Sequence, residues 1–212
     1  METVIDRKTL VTEIFNAITH GVGVVLGVVG LILLVLKANE LQSSVALVAY
    51  IIYGVSLILL FLFSTLYHSL SFTKAKRVMR IFDHSAIYVL IAGSYTPYCL
   101  NAVGGTNGTL MLVVIWVLAI LGIVLKCFTI GKHKWLSICL YLGMGWLSLF
   151  LIVPLYHAIG LNGLLLLVFG GVSYSVGTIF YSMKKIQFMH VVWHLFVMAG
   201  AAFMYFSILL YS

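Results

Sequence analysis

The sequence contains very few charged residues. Asp, Glu, Lys and Arg make up 8% of its 212 residues, whereas a soluble domain carries about 25%. So few charged side chains cannot cover a surface that faces water, and no stretch is polar enough to form a separate soluble domain. Since 63% of the residues are hydrophobic, we expect an integral membrane protein.

Acidic residues and cysteines are also scarce. Five acidic residues against twelve Lys and Arg give a net charge of +7, but the basic residues lie in short loops between apolar runs. This distribution is not that of a nucleic-acid-binding surface, so we expect no nucleic-acid partner. The three cysteines, Cys99, Cys127 and Cys139, are scattered, which excludes a disulfide framework and argues against a metal site made of cysteines.

Long apolar runs dominate what is present. A helix needs about 20 apolar residues to cross a bilayer, and seven runs have that length. We therefore predict an all-α membrane protein, with one seven-helix transmembrane domain over residues 1–212. The helices are expected at approximately 15–36, 45–68, 82–101, 109–127, 135–155, 161–182 and 189–211. No charged residue marks the break between the fifth and sixth runs, which depends on residues such as Pro154 and Gly160.

The distribution of Lys and Arg predicts the orientation. With the N-terminus inside, eleven of the twelve basic residues face the cytoplasm and only Lys37 lies outside. This asymmetry predicts a cytoplasmic N-terminus and an external C-terminus. The first apolar run is long and is followed by no A-x-A-like site, which argues against a cleaved signal peptide.

This topology brings polar side chains from four helices to the cytoplasmic end. Within each helix they are mostly spaced three or four residues apart, which places them on one face. They are Glu13, Asn16 and His20 in the first run, Ser64 and His68 in the second, Asp83 and His84 in the third, and His190 and His194 in the last. We expect His157 at the opposite interface and His133 in a solvated loop, both away from this group.

The histidines favour zinc. Three neutral imidazoles with water in the fourth position form a known catalytic zinc arrangement, and the ion lowers the pKa of that water to about 7. Asp83 is the candidate to orient this water or accept its proton. Ser64 could donate a hydrogen bond to the water or to a substrate carbonyl. Glu13, Asn16 and His20 could orient the ligands.

Each of these residues also has a purely structural interpretation. A lone histidine on an apolar helix is more often a hydrogen-bonded packing residue than a ligand. Asp83 could pair with Arg80 or cap a helix, and Ser64 could bond to its own helix backbone. The helix dipole alone favours Glu13 near a helix start, and His20 could be a fourth polar neighbour of the site or a simple helix contact.

The order and spacing of these motifs resemble a known family. The pattern is Glu13-x-x-Asn16-x-x-x-His20, Ser64-x-x-x-His68, Asp83-His84 and His190-x-x-x-His194, with Asp83-His-Ser-Ala-Ile-Tyr88 followed by Ala92-Gly-Ser-Tyr-Thr-Pro97. It resembles the hemolysin III branch of the progestin and adipoQ receptor family from Glu13 to His194. The resemblance implies a seven-helix bundle with its N-terminus inside. It also implies zinc held by His68, His190 and His194, with Asp83 touching the water on the zinc.

The resemblance also bears on function. The family is grouped with alkaline ceramidases among membrane hydrolases, and its eukaryotic receptor members have been linked to ceramide hydrolysis. Bacterial members are named for hemolysis and are associated with membrane-fluidity homeostasis, which implies a multi-pass protein of the bacterial inner membrane.

Three functions are compatible with the sequence. The first is a zinc-dependent hydrolase of a lipid amide or ester, with membrane lipids, including an acyl-lipid substrate, as partners. The second is a sensor of membrane state in which zinc is structural. The third is a pore or cytolysin, which the sequence disfavours, because a conducting path needs polar groups through the full membrane thickness.

Overall fold

The computed structural model describes residues 6–129, 134–183 and 185–212, and all regular structure in these ranges is helical. His133, Lys132 and Lys184 lie outside the described residues. The helices are α1 (Arg7–Glu40), α2 (Ser44–Ser69), α3 (Lys76–Pro97), α4 (Gly105–Thr129), α5 (Lys134–Trp146), α6 (Ile152–Ser182) and α7 (Met189–Tyr211). A π-helical turn, Tyr98–Val103, follows α3, and a 3-10 turn, Leu147–Leu151, joins α5 to α6.

The helices form a bundle suited to a lipid environment. In the described ranges, six helical runs are long and apolar enough to cross a membrane. Large apolar side chains point outward, and Phe128 and Phe150 are 83% and 79% exposed. Such surfaces are stable in lipid and unstable in water. The predicted class, an all-helical integral membrane protein, is confirmed.

One of these runs folds back on itself. It extends over 48 residues, from Trp135 to Ser182, and Trp146 Nε1 donates a hydrogen bond of 3.1 Å to Ser175 Oγ. In a straight helix these two residues would lie about 43 Å apart, so the chain must reverse between them. Gly160 has φ 67° and ψ −179°, a conformation that favours glycine. The reversal therefore lies at Gly160, within the break predicted between residues 155 and 161.

Helices α1 and α3 begin well before the apolar runs that predicted them. Helix α1 starts at Arg7 rather than near residue 15, because Asp6 caps it and accepts a hydrogen bond of 3.2 Å from the backbone N–H of Thr9. This bond lowers the pKa of the Asp6 carboxyl. Helix α3 starts at Lys76 rather than near residue 82. A hydrophobic run marks only the part of a helix within lipid, whereas polar first turns extend beyond it.

A buried stripe on α1 faces α2 and α7. Its residues recur every three or four positions: Asn16, His20, Gly23, Gly27, Gly30, Leu34 and Ala38. A Cβ atom at Gly23 would lie 2.7 Å from the ring of Phe61, so the small residues let the backbones approach closely. The same stripe carries Asn16 and His20 inward at its N-terminal end, where the ends of α2, α3 and α7 meet.

Candidate functional site

Three imidazoles converge where the C-terminal end of α2 meets the N-terminal end of α7. His68 is the penultimate residue of α2, while His190 and His194 lie in the first two turns of α7. Their ligand atoms all lie within 4.8 Å of one another, a spacing at which they could hold one metal ion. The predicted meeting of these distant residues is therefore present in the structure. We call this end of the bundle the histidine end.

Glu13 of α1 holds one nitrogen of His68. Its Oε2 lies 2.5 Å from His68 Nδ1, and since a carboxylate only accepts, Nδ1 carries the proton and donates it. His68 Nε2 is buried and has no hydrogen-bond partner in the described ranges. The carboxylate thus leaves the lone pair of Nε2 available for a ligand. Lys76 Nζ lies 3.7 Å from the other oxygen of Glu13.

Helix α1 orients His194 as well. His194 Nδ1 lies 3.3 Å from the backbone oxygen of Asn16 and 3.3 Å from Thr19 Oγ1. A carbonyl oxygen only accepts, so Nδ1–H is the donor and Nε2 keeps its lone pair. His20 stacks on His194, with ring centroids 3.6 Å apart and planes within 9°. Asn16 therefore acts here through its main chain, and His20 through its ring face.

A strained turn precedes His190. Phe188 has φ 65° and immediately precedes α7, although non-glycine residues rarely adopt this conformation. Its ring packs edge-on against Phe15 of α1 at 6.0 Å. This contact fixes the start of α7 against α1 and brings His190 next to His68, with ring centroids 5.1 Å apart.

Asp83 lies in α3 beside the histidines. Helix α3 begins at Lys76 with Ala75 as its cap, so Asp83 is inside the helix and does not cap it. In the described ranges its carboxylate lies within ion-pair distance of His84, with Nδ1 at 3.1 Å from Asp83 Oδ2, and no ion pair with Arg80 is present there. Both structural alternatives for Asp83 are therefore wrong. Its role in a reaction remains a prediction.

Ser64 lies one turn before His68 and is 2% exposed. In the described part of the chain, no hydrogen bond joins its hydroxyl to its own helix. Ser64 and Asp83 both border the space next to the three imidazoles. The proposed use of that hydroxyl in catalysis also remains a prediction.

These side chains line one central cavity of about 730 Å³. The cavity continues past the histidines into an apolar region whose walls include Ile87, Ile91, Leu142, Val197 and Met204. Met204 lies fourteen residues after His190, about 21 Å along a helix. The cavity is therefore polar at the histidine end and mainly apolar in its depth, where a few hydroxyl side chains such as Ser94 also line it.

Sequence reasoning missed several cavity residues. Lys8, Arg80 and Lys185 line the cavity, whereas in the sequence their charges predict orientation, and Arg80 is otherwise named only as an alternative ion-pair partner of Asp83. Tyr67 and Tyr181 line it too, and aromatic residues near helix ends are ordinarily read as interfacial anchors. A signal was present for Arg80, which precedes Asp83 by three residues and so shares its helix face. His157, by contrast, is exposed close to the reversal at Gly160.

Comparison with known proteins agrees with this architecture. A family model described as "Haemolysin-III related" matches residues 8–205. The chain is 49% identical over 203 residues to a hemolysin-3 homolog from Bacillus subtilis, covering 96% of this chain and 95% of that protein. It is 47% identical to hemolysin-3 from Bacillus cereus, covering 94% of this chain and 91% of that protein.

A human protein shows a more distant similarity. The monocyte to macrophage differentiation factor is 30% identical over 208 residues, covering 95% of this chain and 85% of that protein. The similarity extends along nearly the whole bundle in each case. The chain therefore belongs to the haemolysin-III-related family, within the progestin and adipoQ receptor family.

Proposed function

We propose that this protein is a zinc-dependent intramembrane hydrolase that cleaves an amide or ester bond of a membrane lipid. The observation that carries the proposal is the convergence of His68, His190 and His194 on one wall of a cavity that also presents Asp83 and Ser64. The apolar depth of the same cavity is suited to an acyl chain.

The donor set fits zinc. Zinc accepts neutral imidazole nitrogens, and catalytic zinc sites commonly use three protein ligands and leave one position open. His68 Nε2 is buried without a partner while Glu13 holds Nδ1, which is the arrangement of a histidine prepared for a metal. When bound to the three histidines, zinc would act as a Lewis acid that polarises a carbonyl group and acidifies water.

Other residues would carry out the remaining steps. The Asp83 carboxylate is positioned to accept the proton of the attacking water and to return it to the leaving oxygen or nitrogen. Ser64 Oγ–H would donate a hydrogen bond to the substrate carbonyl. The apolar walls around Val197 and Met204 would hold the acyl chain and exclude bulk water.

We further propose that the site lies at the inner leaflet of the membrane. We propose seven membrane crossings, with the reversal at Gly160 separating the fifth from the sixth, and a cytoplasmic N-terminus in the bacterial cell membrane. The reversal and the uneven distribution of Lys and Arg support this topology.

Cysteine labelling tests the topology. In a chain lacking the exposed thiols of Cys127 and Cys139, Tyr211→Cys should react with an impermeant maleimide in intact cells. Lys74→Cys should react only after the membrane is made permeable. The reverse result would overturn the orientation.

A lipid assay tests the activity. Purified zinc-loaded protein in mixed micelles should release fatty acid from an acyl amide or acyl ester, and a chelator should stop the release. His68→Ala should be inactive, while His157→Ala, at the exposed distant histidine, should keep wild-type turnover. If matched lipid extracts from cells with active and His68→Ala protein are identical and purified protein releases no fatty acid, the hydrolase proposal is wrong.

A sensor of membrane state is the second candidate, because the apolar cavity could hold a lipid without cleaving it. Zinc-dependent lipid binding with no fatty acid release would favour it. The charged cavity residues gather at the histidine end, which gives no support to a polar pore.

A further inference from the structure

Three cations at the mouth of the cavity have no part in the reaction proposed above. Lys8 of α1, Arg80 of α3 and Lys185 in the turn before α7 all line it. In the described ranges, no carboxylate lies within 4.0 Å of these three side chains. Glu13 is engaged with His68 and Lys76 instead. Among the residues that the structure describes, the mouth therefore presents positive charge that no carboxylate neutralises at close range.

Arg80 is the most informative of the three. Its Nε is buried and has no hydrogen-bond partner among the residues that the structure describes. A buried N–H without an acceptor is costly, so an acceptor from outside the protein would be stabilised there. The planar guanidinium offers paired donors that match the oxygens of a phosphate group.

The general tendency of Lys and Arg to face the cytoplasm does not explain why these three cations line the cavity. Positive residues gather at the cytoplasmic face of many membrane proteins, whatever their function. Arg7, Lys74 and Arg77 satisfy that rule here, since they are exposed and do not line the cavity. Lys8, Arg80 and Lys185 are near them in sequence but line the cavity. The basic residues of this end thus differ in whether they line the cavity: Lys8 and Lys185 are exposed but border it, and Arg80 is partly buried beside it.

The same order of chemistry recurs along two helices. On α3, Arg80 is followed by Asp83 and then by Ile87. At α7, Lys185 is followed by His190 and then by Val197, and all six residues line the cavity. On α1, Lys8 likewise comes before Glu13. A lipid with a charged headgroup has a matching order, with the headgroup first, the ester or amide next, and the acyl chain last.

The balance of charge favours an anion over a neutral group. Three cations and two carboxylates, Glu13 and Asp83, line the cavity, and a divalent metal would add two further positive charges. We propose that the lipid bound here carries a phosphate headgroup, held by Lys8, Arg80 and Lys185, with its acyl chain in the apolar depth. The cleavage of this lipid rests on the hydrolase function proposed above, whereas the binding of its headgroup does not.

The reaction balances simply. The bond between the acyl carbon and the oxygen or nitrogen of the headgroup part breaks. Water supplies a hydroxyl group to the acyl carbon and a proton to the leaving oxygen or nitrogen. The products are a fatty acid and a phosphate-bearing alcohol or amine.

A matched pair of lipids tests the proposal. Full-length zinc-loaded protein in neutral detergent micelles would be given a monoacylglycerol or its phosphate monoester with the same chain. We expect kcat/KM to be higher for the phosphate ester by roughly tenfold or more, the size of one charge-assisted hydrogen bond. Arg80→Gln should remove most of that preference, and Arg80→Lys should keep part of it.

Neighbouring surface cations supply the controls. Arg77→Gln should keep the wild-type ratio of the two kcat/KM values, whereas Arg80→Gln should lower it. The same contrast is expected between Arg7→Gln and Lys8→Gln, and between Lys74→Gln and Lys185→Gln. Equal ratios within all three pairs, in variants that retain their zinc, would overturn the proposal.

A binding assay separates this inference from the hydrolase proposal. Trp193 lines the cavity, so lipids with brominated chains should quench its fluorescence, and Trp193→Phe identifies that signal. We expect a brominated phosphatidic acid to quench at lower concentration than the matching diacylglycerol, and Arg80→Gln to abolish the difference. This result without any fatty acid release would support the headgroup site and overturn the hydrolase.

Two results would contradict the headgroup site. Hydrolysis of the phosphate-free lipid with equal or higher kcat/KM would overturn it and leave the hydrolase proposal standing. Inorganic phosphate that displaces the phosphate lipid at the same concentration as the lipid itself would assign the cations to free phosphate, which would also overturn it.

Discussion

Polar side chains are held differently at the two ends of the bundle. At the end opposite the histidines, which we call the far end, Lys37 Nζ donates to the backbone oxygens of Leu209 and Ser212 at 2.7 and 2.8 Å. The hydroxyl of Tyr50 donates to the same oxygen of Ser212 at 2.6 Å. At the histidine end, His68 Nε2 and both nitrogens of His20 are buried without a partner in the described ranges.

This difference separates a structural use of polarity from a functional one. The charge of Lys37 is satisfied by the last turn of α7, so it joins α1 to α7 and leaves nothing for a ligand. Unpartnered atoms are also present at the far end, but those of Asn101 and Ser212 belong to an amide and a hydroxyl group and not to imidazoles. Only the histidine end, among the described residues, combines unpartnered imidazoles with a large cavity. Buried polar groups without partners are costly, and this cost is the reason that we propose a ligand at the histidine end.

The largest difference between the two ends is expected in the zinc content of histidine variants. Purified wild-type protein should contain about one zinc ion per chain, and His190→Ala or His194→Ala should contain almost none, because three ligands are the usual minimum for a zinc site. His157→Ala, at an exposed distant histidine, should keep its zinc. Mass spectrometry of the purified proteins measures the zinc content of each variant. Zinc retained by both site variants would remove the contrast between the ends.

Asp83→Asn should separate binding from chemistry at the histidine end. The amide cannot accept a proton as a general base, so turnover should fall by about 10²–10⁴-fold while the zinc content stays unchanged. Asp6→Asn is the matched control, since Asp6 lies outside the cavity and asparagine also caps helices. Turnover of lipid by Asp83→Asn at the wild-type rate would exclude Asp83 as the base.

Much of the histidine end was predictable because the relevant signals are local. Histidines four residues apart share a helix face, and the distribution of Lys and Arg indicates which helix ends lie on the same side of the membrane. Together these two signals predict that His68 lies close to His190 and His194. The reversal at Gly160 was also predictable, since glycine and proline interrupt an apolar run even where no charge does.

Other features depend on contacts that a pattern of side chains does not contain. Asn16 orients His194 through a backbone oxygen, an atom that every residue has. The stacking of His20 on His194 requires the distance between two helices. The sequence predicts for Arg80 only a role in orientation or an ion pair with Asp83, because a positive charge near a helix end looks the same whether it faces solvent or a cavity. Lys37 and the end of α7 lie 171 to 175 residues apart in the chain.

Glu13→Gln should weaken the histidine end without dismantling it. The amide would hold His68 Nδ1 less firmly and would lower the basicity of Nε2, so zinc affinity should fall about 10–100-fold. Glu40→Gln, at the exposed far end of the same helix, should leave the affinity unchanged. Competition with a fluorescent chelator gives both values. Equal affinities would show that Glu13 does not orient the ligand.

Lys37→Met should give the smallest effect and should confine it to the far end. Methionine fills much of the same volume but cannot donate to the carbonyl oxygens of α7, so the loss should be about 1.5–3 kcal/mol, as for hydrogen bonds to charged groups. We expect a midpoint of thermal unfolding several degrees lower, with zinc affinity and lipid turnover unchanged. Lys74→Met, at an exposed lysine of the α2–α3 loop, should leave the midpoint where it is. A loss of zinc in Lys37→Met would mean that the two ends are coupled through α1 and α7, and the far end would then take part in the function of the site.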